Sequence, residues 1–238
     1  MCQPSAVSMA TAVEAEPIRF PAGVRLVAFD VVGTLLVPTP SVAEAYRRVA
    51  ARHGIERSCE LLRKRFREAW REQERIDAES SPAFATSRER ERERWRRIVV
   101  EVFEHAPEAE RIFKELWDHF GSPAAWSASP HGGRLLAAAD AAGLEIVLAS
   151  NFDERLLEIA PAIPLLARAE RVFASSEIGW RKPSPAFFRF IERATGRQPG
   201  EILMVGDDAQ LDAAAARRAG WQAMLLQPSD EGLPRASS

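Results

Sequence analysis

The apolar positions of this chain change period three times along its length. From Val24 to Leu36 the run VRLVAFDVVGTLL is nearly continuous, with Pro21-Ala22-Gly23 before it and Gly33 near its end. So short an apolar run between turn residues predicts a strand buried on both faces, as in a parallel sheet. Prolines at 38 and 40 then break the chain, and the period lengthens to that of amphipathic helices. Val42, Ala45, Tyr46, Val49 and Ala50 share one helical face. Leu62, Phe66, Ala69, Gln73 and Ile76 form a second stripe, in a helix from about Ser58 to Asp77. Trp95, Ile98, Val99, Val102 and Phe103 make a third stripe, and Ile112, Phe113, Leu116, Trp117 and Phe120 a fourth, opened by Pro107 and closed by Gly121. Ser41 with Glu44 and Thr86 with Glu89 have the spacing of capping boxes. Beyond Ser129 helix and strand patterns alternate, which predicts a parallel α/β sheet. The predicted strands there are Leu144 to Ala149, Arg171 to Ala174, Glu201 to Val205 and Trp221 to Leu226. The helices between them are Leu135 to Ala142, Asp153 to Ile159, Ser184 to Ala194 and Leu211 to Ala219.

These patterns predict an α/β core over 21–40 and 122–228, interrupted by a helical insertion at 41–121. Residues 1–20 lack both the basic start and the apolar middle of a signal peptide and are read as a disordered leader. The run RERERERWRR, Arg88 to Arg97, places opposite charges at i,i+3 and like charges at i,i+4 on a helix. Each effect is a few tenths of a kcal/mol, so the two nearly cancel, and the charged turns are predicted to be a solvated face.

At 238 residues, 46% hydrophobic and 28% charged, with a formal charge of -2, the composition is that of a globular protein with no call for nucleic acid or an acidic membrane as partner. No run approaches the roughly 18 to 20 apolar residues that span a bilayer. The two cysteines, Cys2 and Cys59, make neither a disulfide framework nor a zinc site, and a cytoplasmic location is expected.

The polar anomalies lie at or just beyond the carboxyl ends of predicted strands: Asp30, Ser150, Lys182, the Asp207-Asp208 pair and Asp212. Parallel strands would bring them to one rim, where open α/β sheets bind ligands. A carboxylate, a hydroxyl, a lysine and an acidic pair suit a divalent cation and a phosphoryl group. Lys182 stands out because the chain has three lysines among its 32 basic residues. The plainer alternatives are that Asp30 caps a turn, that Lys182 is a surface lysine, and that Asp207 or Asp208 caps a helix.

FDVVGTL (from Phe29), ASN (from Ala149), KPSP (from Lys182) and VGDDAQLD (from Val205) resemble, in order, the four motifs of the haloacid dehalogenase (HAD) superfamily. GWRKPSPAFF and GDDAQLDAAAARRAGW are most similar to its haloacid-dehalogenase-like hydrolase domain branch. The resemblance runs from about Val24 to Leu226 and implies a Rossmann-like, doubly wound parallel sheet with an all-helical cap. It further implies a magnesium-dependent phosphatase acting on a small phosphorylated metabolite. Asp30 would be the nucleophile, forming an aspartyl-phosphate, with Ser150 and Lys182 binding phosphoryl oxygens. Magnesium would be held by Asp30, Asp207 and the backbone carbonyl of Val32, with Asp208 or Asp212 completing its shell. Thr34, Asn151 and Trp180 are the further candidates for contact with substrate, and the cap is expected to swing on hinges at Pro38 to Pro40 and Ser122 to Trp126.

One departure changes the picture. Phosphatases of the family carry a second aspartate, two residues after the nucleophile, as general acid and base, and here that residue is Val32. The loss favours substrates with good leaving groups. It also keeps three alternatives open: a 2-haloacid dehalogenase, a phosphonate hydrolase using Lys64 in the cap as a Schiff base, and a HAD-fold binding protein without turnover. Phe188, where the dehalogenase pattern has tyrosine, speaks against the first of these.

Overall fold

The computed structural model describes residues 18–226; Cys2 and most of the leader read over 1–20 lie outside them. Strand β1 (Leu26–Phe29) runs into a turn, and β2 (Leu36–Pro38) follows it. Helices α1 (Val42–Arg52), α2 (Cys59–Glu79), α3 (Arg88–Val102) and α4 (Ala109–Phe120) then precede β3 (Trp126–Ala128). The second half comprises α5 (Pro130–Ala141), β4 (Glu145–Ser150), α6 (Leu156–Ala162), β5 (Arg171–Ala174), α7 (Ser175–Ile178), α8 (Pro185–Thr195), β6 (Ile202–Gly206), a π-helical turn Ala209–Ala214 running into α9 (Ala215–Arg218), and β7 (Gln222–Leu225).

Five strands form one parallel sheet in the order β5-β4-β1-β6-β7. β1 is its centre, and every residue of β1 is fully buried because helices cover both faces. Val27 and Phe29 pack with Leu148, Leu203 and Val205 on one side; Leu26 and Ala28 pack with Ile202, Met204 and Phe187 on the other. A strand apolar at every position is what a two-sided core requires. The chain winds from β1 to β4 and β5 in one direction and to β6 and β7 in the other, so the crevice beside the carboxyl end of β1 is the topological switch point. Asp30 follows β1 directly.

The apolar run read as one strand from Val24 is cut after Phe29. Leu36 belongs to β2, which pairs antiparallel with β3 as Leu36 to Ala128 and Pro38 to Trp126. The two chain crossings between sheet and insertion therefore lie side by side. α5 begins five residues before the helix read from Leu135, because Ser129 Oγ accepts from Gly132 N at 2.9 Å and starts it there.

The insertion has its own core, in which Tyr46, Val49, Phe66, Trp70, Ile98, Val102 and Ile112 are buried together. Its capping differs from the expected boxes. Ser41 makes no side-chain cap, and Glu44 turns to Arg47 and Arg48. At the third helix Ser87, not Thr86, is the N-cap and accepts from Arg90 N. Thr86 is held elsewhere: its N–H donates to Gly179 O at 3.0 Å and Arg181 N donates to Phe84 O at 2.9 Å, a strand-like contact between insertion and core.

Beside that contact the charged run departs from the solvated face expected of it. Glu91 and Arg94 are each 1% exposed. Arg181 donates to both oxygens of Glu91 at 2.7 Å, and Arg94 Nε donates to Asp77 at 2.9 Å. Glu74 and Arg90 complete a cluster of three cations and three anions. Three acids from α2 and α3 are thus matched by guanidiniums from both domains, which only the folded juxtaposition of α2, α3 and the loop before Lys182 brings about.

Candidate active site

Each strand of the switch point delivers one group. β1 presents Asp30; β4 ends at Ser150, whose Oγ donates to Asp30 Oδ1 at 3.0 Å. Lys182 reaches in from the loop after α7. Its buried Nζ donates to Asp30 Oδ1 at 2.8 Å, Asp212 Oδ1 at 2.6 Å and Ala149 O at 3.0 Å. Asn151 braces this loop from both sides, donating to Lys182 O at 2.9 Å and accepting from Lys182 N at 2.7 Å. β6 brings Asp207, whose Oδ1 accepts from Thr34 Oγ1 at 3.2 Å.

Asp30, Asp207 and Asp212 each offer a carboxylate oxygen within 4.8 Å of the others, all three buried. Three hard oxygen donors from three carboxylates suit Mg²⁺. Asp208 stands apart from this group: its Oδ1 accepts from Gln210 N and Leu211 N at 2.7 and 2.8 Å and caps the following turn. Between the two acids left open by the sequence, the structure brings Asp212 to the carboxylate group. Burial would lower the Lys182 pKa, but the carboxylates of Asp212 and Asp30 outweigh it and hold the ammonium above the ordinary lysine range. Burial, with the nearby Asp30 charge, raises Asp212, and Lys182 works against that rise.

The backbone leaves room for this crowding at two glycines. A Cβ on Gly33, whose φ is +91°, would lie 2.5 Å from Asp207 Oδ2, and one on Gly206 would lie 2.1 Å from Asp212 Oδ2. Close approach of backbone to the carboxylates explains both residues.

The carboxylates and Lys182 floor a space of about 1030 Å³, counting its open mouth, that extends up between core and insertion. Val32 and Asn151 line it; its upper wall is aromatic, including Tyr46, Phe66, Trp70 and Trp95. Thr34 is fully buried behind Asp207 and does not reach this space. Trp180 is not on the wall either, but packs on the opposite sheet face and pairs with Ala85. Lys64 is 68% exposed beside Glu68 and also lies away from the pocket, which leaves the Schiff-base alternative without its residue. The sequence reading missed Arg155, which lines the space and is fixed by two bonds of 2.7 Å to the oxygens of Asp153. An Asp-x-Arg pair just past a strand end was its only signal.

An aspartate after the central strand is braced by a strand-end serine and a buried lysine and faced by acids from the next strand, under a helical insertion. The model of the haloacid dehalogenase-like hydrolase family matches residues 24–220, and the chain belongs to that family. It is 29% identical over 209 residues to the human haloacid dehalogenase-like hydrolase domain-containing protein 3, covering 85% of this chain and 82% of that one. A phosphoserine phosphatase of Thermus thermophilus is 34% identical over 151 residues, 61% of this chain and 59% of its own. Among solved structures, a defluorinating L-2-haloacid dehalogenase superposes with a TM-score of 0.71 at 23% identity, covering 90% of this chain and 87% of that one.

Proposed function

We propose that this hydrolase is a magnesium-dependent phosphatase that works through an aspartyl-phosphate on Asp30. The observation that carries this reading is the convergence on one point of Asp30, Ser150, Lys182, Asp207 and Asp212. Ser150 and Lys182 both donate to Oδ1, which fixes the carboxylate's orientation, and we assign Oδ2 as the attacking oxygen. Its attack on phosphorus forms one P–O bond while the bond to the leaving oxygen breaks. Water then attacks the same phosphorus, releases phosphate and restores Asp30. Lys182 and Ser150 offset the charge of the transferring group. Asp30, Asp207 and Asp212, with the carbonyl of Val32, would hold Mg²⁺, which supplies Lewis-acid stabilisation of that charge.

Val32 gives the leaving oxygen no proton. General acid-base help is typically worth about 10²- to 10⁴-fold, so leaving groups stable as anions are favoured. The test is hydrolysis of an aryl phosphate with magnesium, wild type beside Asp30→Asn. Turnover in wild type and its loss in the variant support the reading; equal activity in both would remove Asp30 from the chemistry.

A second reading is hydrolytic dehalogenation, favoured by Val32 and by the apolar wall of the pocket. Halide release from a 2-haloacid that persists in a chelator would establish it in place of the phosphatase.

A further inference from the structure

We propose that the leaving-group side of this pocket is built for an aromatic ring, so that the substrate is an aryl phosphate ester. The phosphate end of this assignment rests on the phosphatase reading above; the ring end rests on the cap. No residue that the cap contributes to the wall carries a charge or an amide. Its rings form a connected surface: Tyr46 meets Phe66 edge-on at 5.4 Å, Phe66 lies 6.1 Å from Trp70, and Trp70 lies 5.6 Å from Trp95. The first pair is edge-on and the other two are tilted, at 34° and 57°, and a further ring can extend such a surface.

A sugar, amino acid or second phosphate would leave most of its water behind and meet a wall whose polar atoms are limited to the Tyr46 hydroxyl and single indole N–H groups such as the unpartnered Trp70 Nε1. Each such group loses roughly 10- to 100-fold in affinity. The wall's one cation besides Lys182 does not relieve the loss. Arg155 donates from Nε and Nη2 to Asp153 and from Nη1 to Trp117 O, and its Cζ lies 3.5 Å from the Trp117 ring centre. It ties the core to α4 and is engaged there.

An independent observation points the same way from the other end of the scissile bond. With Val32 where a proton donor would stand, the leaving oxygen departs as an anion. A phenol, like the tyrosine side chain, ionises near pH 10, far below an alkyl alcohol. The groove that prefers a ring and the chemistry that needs a phenolate act on the same part of the substrate.

The test compares phenylphosphonate, 2-naphthylphosphonate and phosphoserine by calorimetry on the wild-type protein with magnesium, alongside kcat/KM for phenyl and 2-naphthyl phosphate, whose phenols are similarly acidic. The second ring adds roughly 50 Å² of apolar contact, so the naphthyl compounds should be favoured by about tenfold in both measurements. Phosphoserine should bind more weakly than either. Trp95→Ala should bring the naphthyl to phenyl ratio close to one, and Trp95→Phe should keep most of it. Equal affinity for one ring and two, or tightest binding of phosphoserine, overturns the assignment. Should Trp95→Ala fail to fold, the wild-type series and Trp95→Phe still decide. If the naphthyl preference holds without turnover of any ester, the phosphatase reading falls and the ring pocket stands; brisk turnover of phosphoserine with poor aryl turnover does the reverse.

Discussion

Gly206 and Val32 control the site from opposite sides, one by having no side chain and the other by having the wrong one for acid catalysis. Alanine at 206 would push its Cβ into Asp212, whose carboxylate must move because β6 is locked between β1 and β7. A misplacement of about 1 Å at a reacting constellation costs on the order of 10²-fold, and Gly206→Ala should lose at least that in kcat while its cooperative unfolding is retained. Asp207→Asn tests the cation directly: calorimetric titration should show magnesium binding lost, and undiminished affinity would take Asp207 out of the site. Val32 makes a kinetic prediction. Without a base for water, the aspartyl-phosphate should accumulate and give a burst with an aryl substrate. Val32→Asp should remove the burst and raise turnover of alkyl phosphates by up to about 10²-fold, more than of aryl ones, with magnesium present to offset the added charge beside Asp30. No burst in wild type and no preferential gain in the variant would mean that the proton comes from another group or that the reaction is not phosphoryl transfer.

At the scale of elements, α3 shows why a charge pattern does not settle exposure. The alternation in RERERERWRR was compatible with a solvated helix, and on one face it is: Arg92 and Arg97 are exposed. Arg90 and Arg94, four residues apart, meet Asp77 of α2, and Glu91 meets Arg181 of the lysine loop, contacts between residues 13 to 90 apart in the chain. Local spacing carries no trace of such partners. Removing one member of a buried pair leaves the other charge uncompensated, so Glu91→Gln should destabilise the protein by about 3–5 kcal/mol. Burial by itself would raise the carboxyls of Asp77 and Glu91, but Arg181 and Arg94 outweigh it and hold both below the ordinary range. The unfolded chain therefore binds protons at higher pH than the native one. The stabilisation is complete above about pH 5 and is lost as pH falls through the native values, below about pH 4. Acid titration of stability should show a shallower decline in Glu91→Gln than in wild type, since that variant has one fewer depressed carboxyl to protonate.

For the molecule as a whole, the third contact between cap and core bears on how substrate enters. Two covalent crossings, paired as β2 and β3, would allow the cap to swing; the bonds of Thr86 to Gly179 and Arg181 to Phe84 join the far side. Opening must break that contact together with the charge cluster beside it. Hydrogen exchange should find the amides of Thr86 and Arg181 protected in wild type and fast in Glu91→Gln, and scattering should show a more open average shape in the variant. Protection unchanged by the substitution would show that the charges do not hold the cap.

The sequence by itself determined the sheet, the insertion and the order of the acidic and basic groups. Their signals are short-range: a strand buried on both faces must be apolar at every position, an amphipathic helix must repeat near 3.6, and ligand groups on parallel strands must follow the strand ends. The meeting of Asp30, Ser150 and Lys182 at one rim was legible for that reason, as was the absence of an acid at position 32. The choice of Asp212 over Asp208, the withdrawal of Trp180 and Thr34 from the pocket, the burial of Glu91 and Arg94, and the place of Arg155 were decided by tertiary structure alone. Each depends on which side chain arrives across a gap between elements far apart in the chain. A carboxylate that caps its own turn and one that joins a cluster look alike until β1, β6 and the Lys182 loop are packed together.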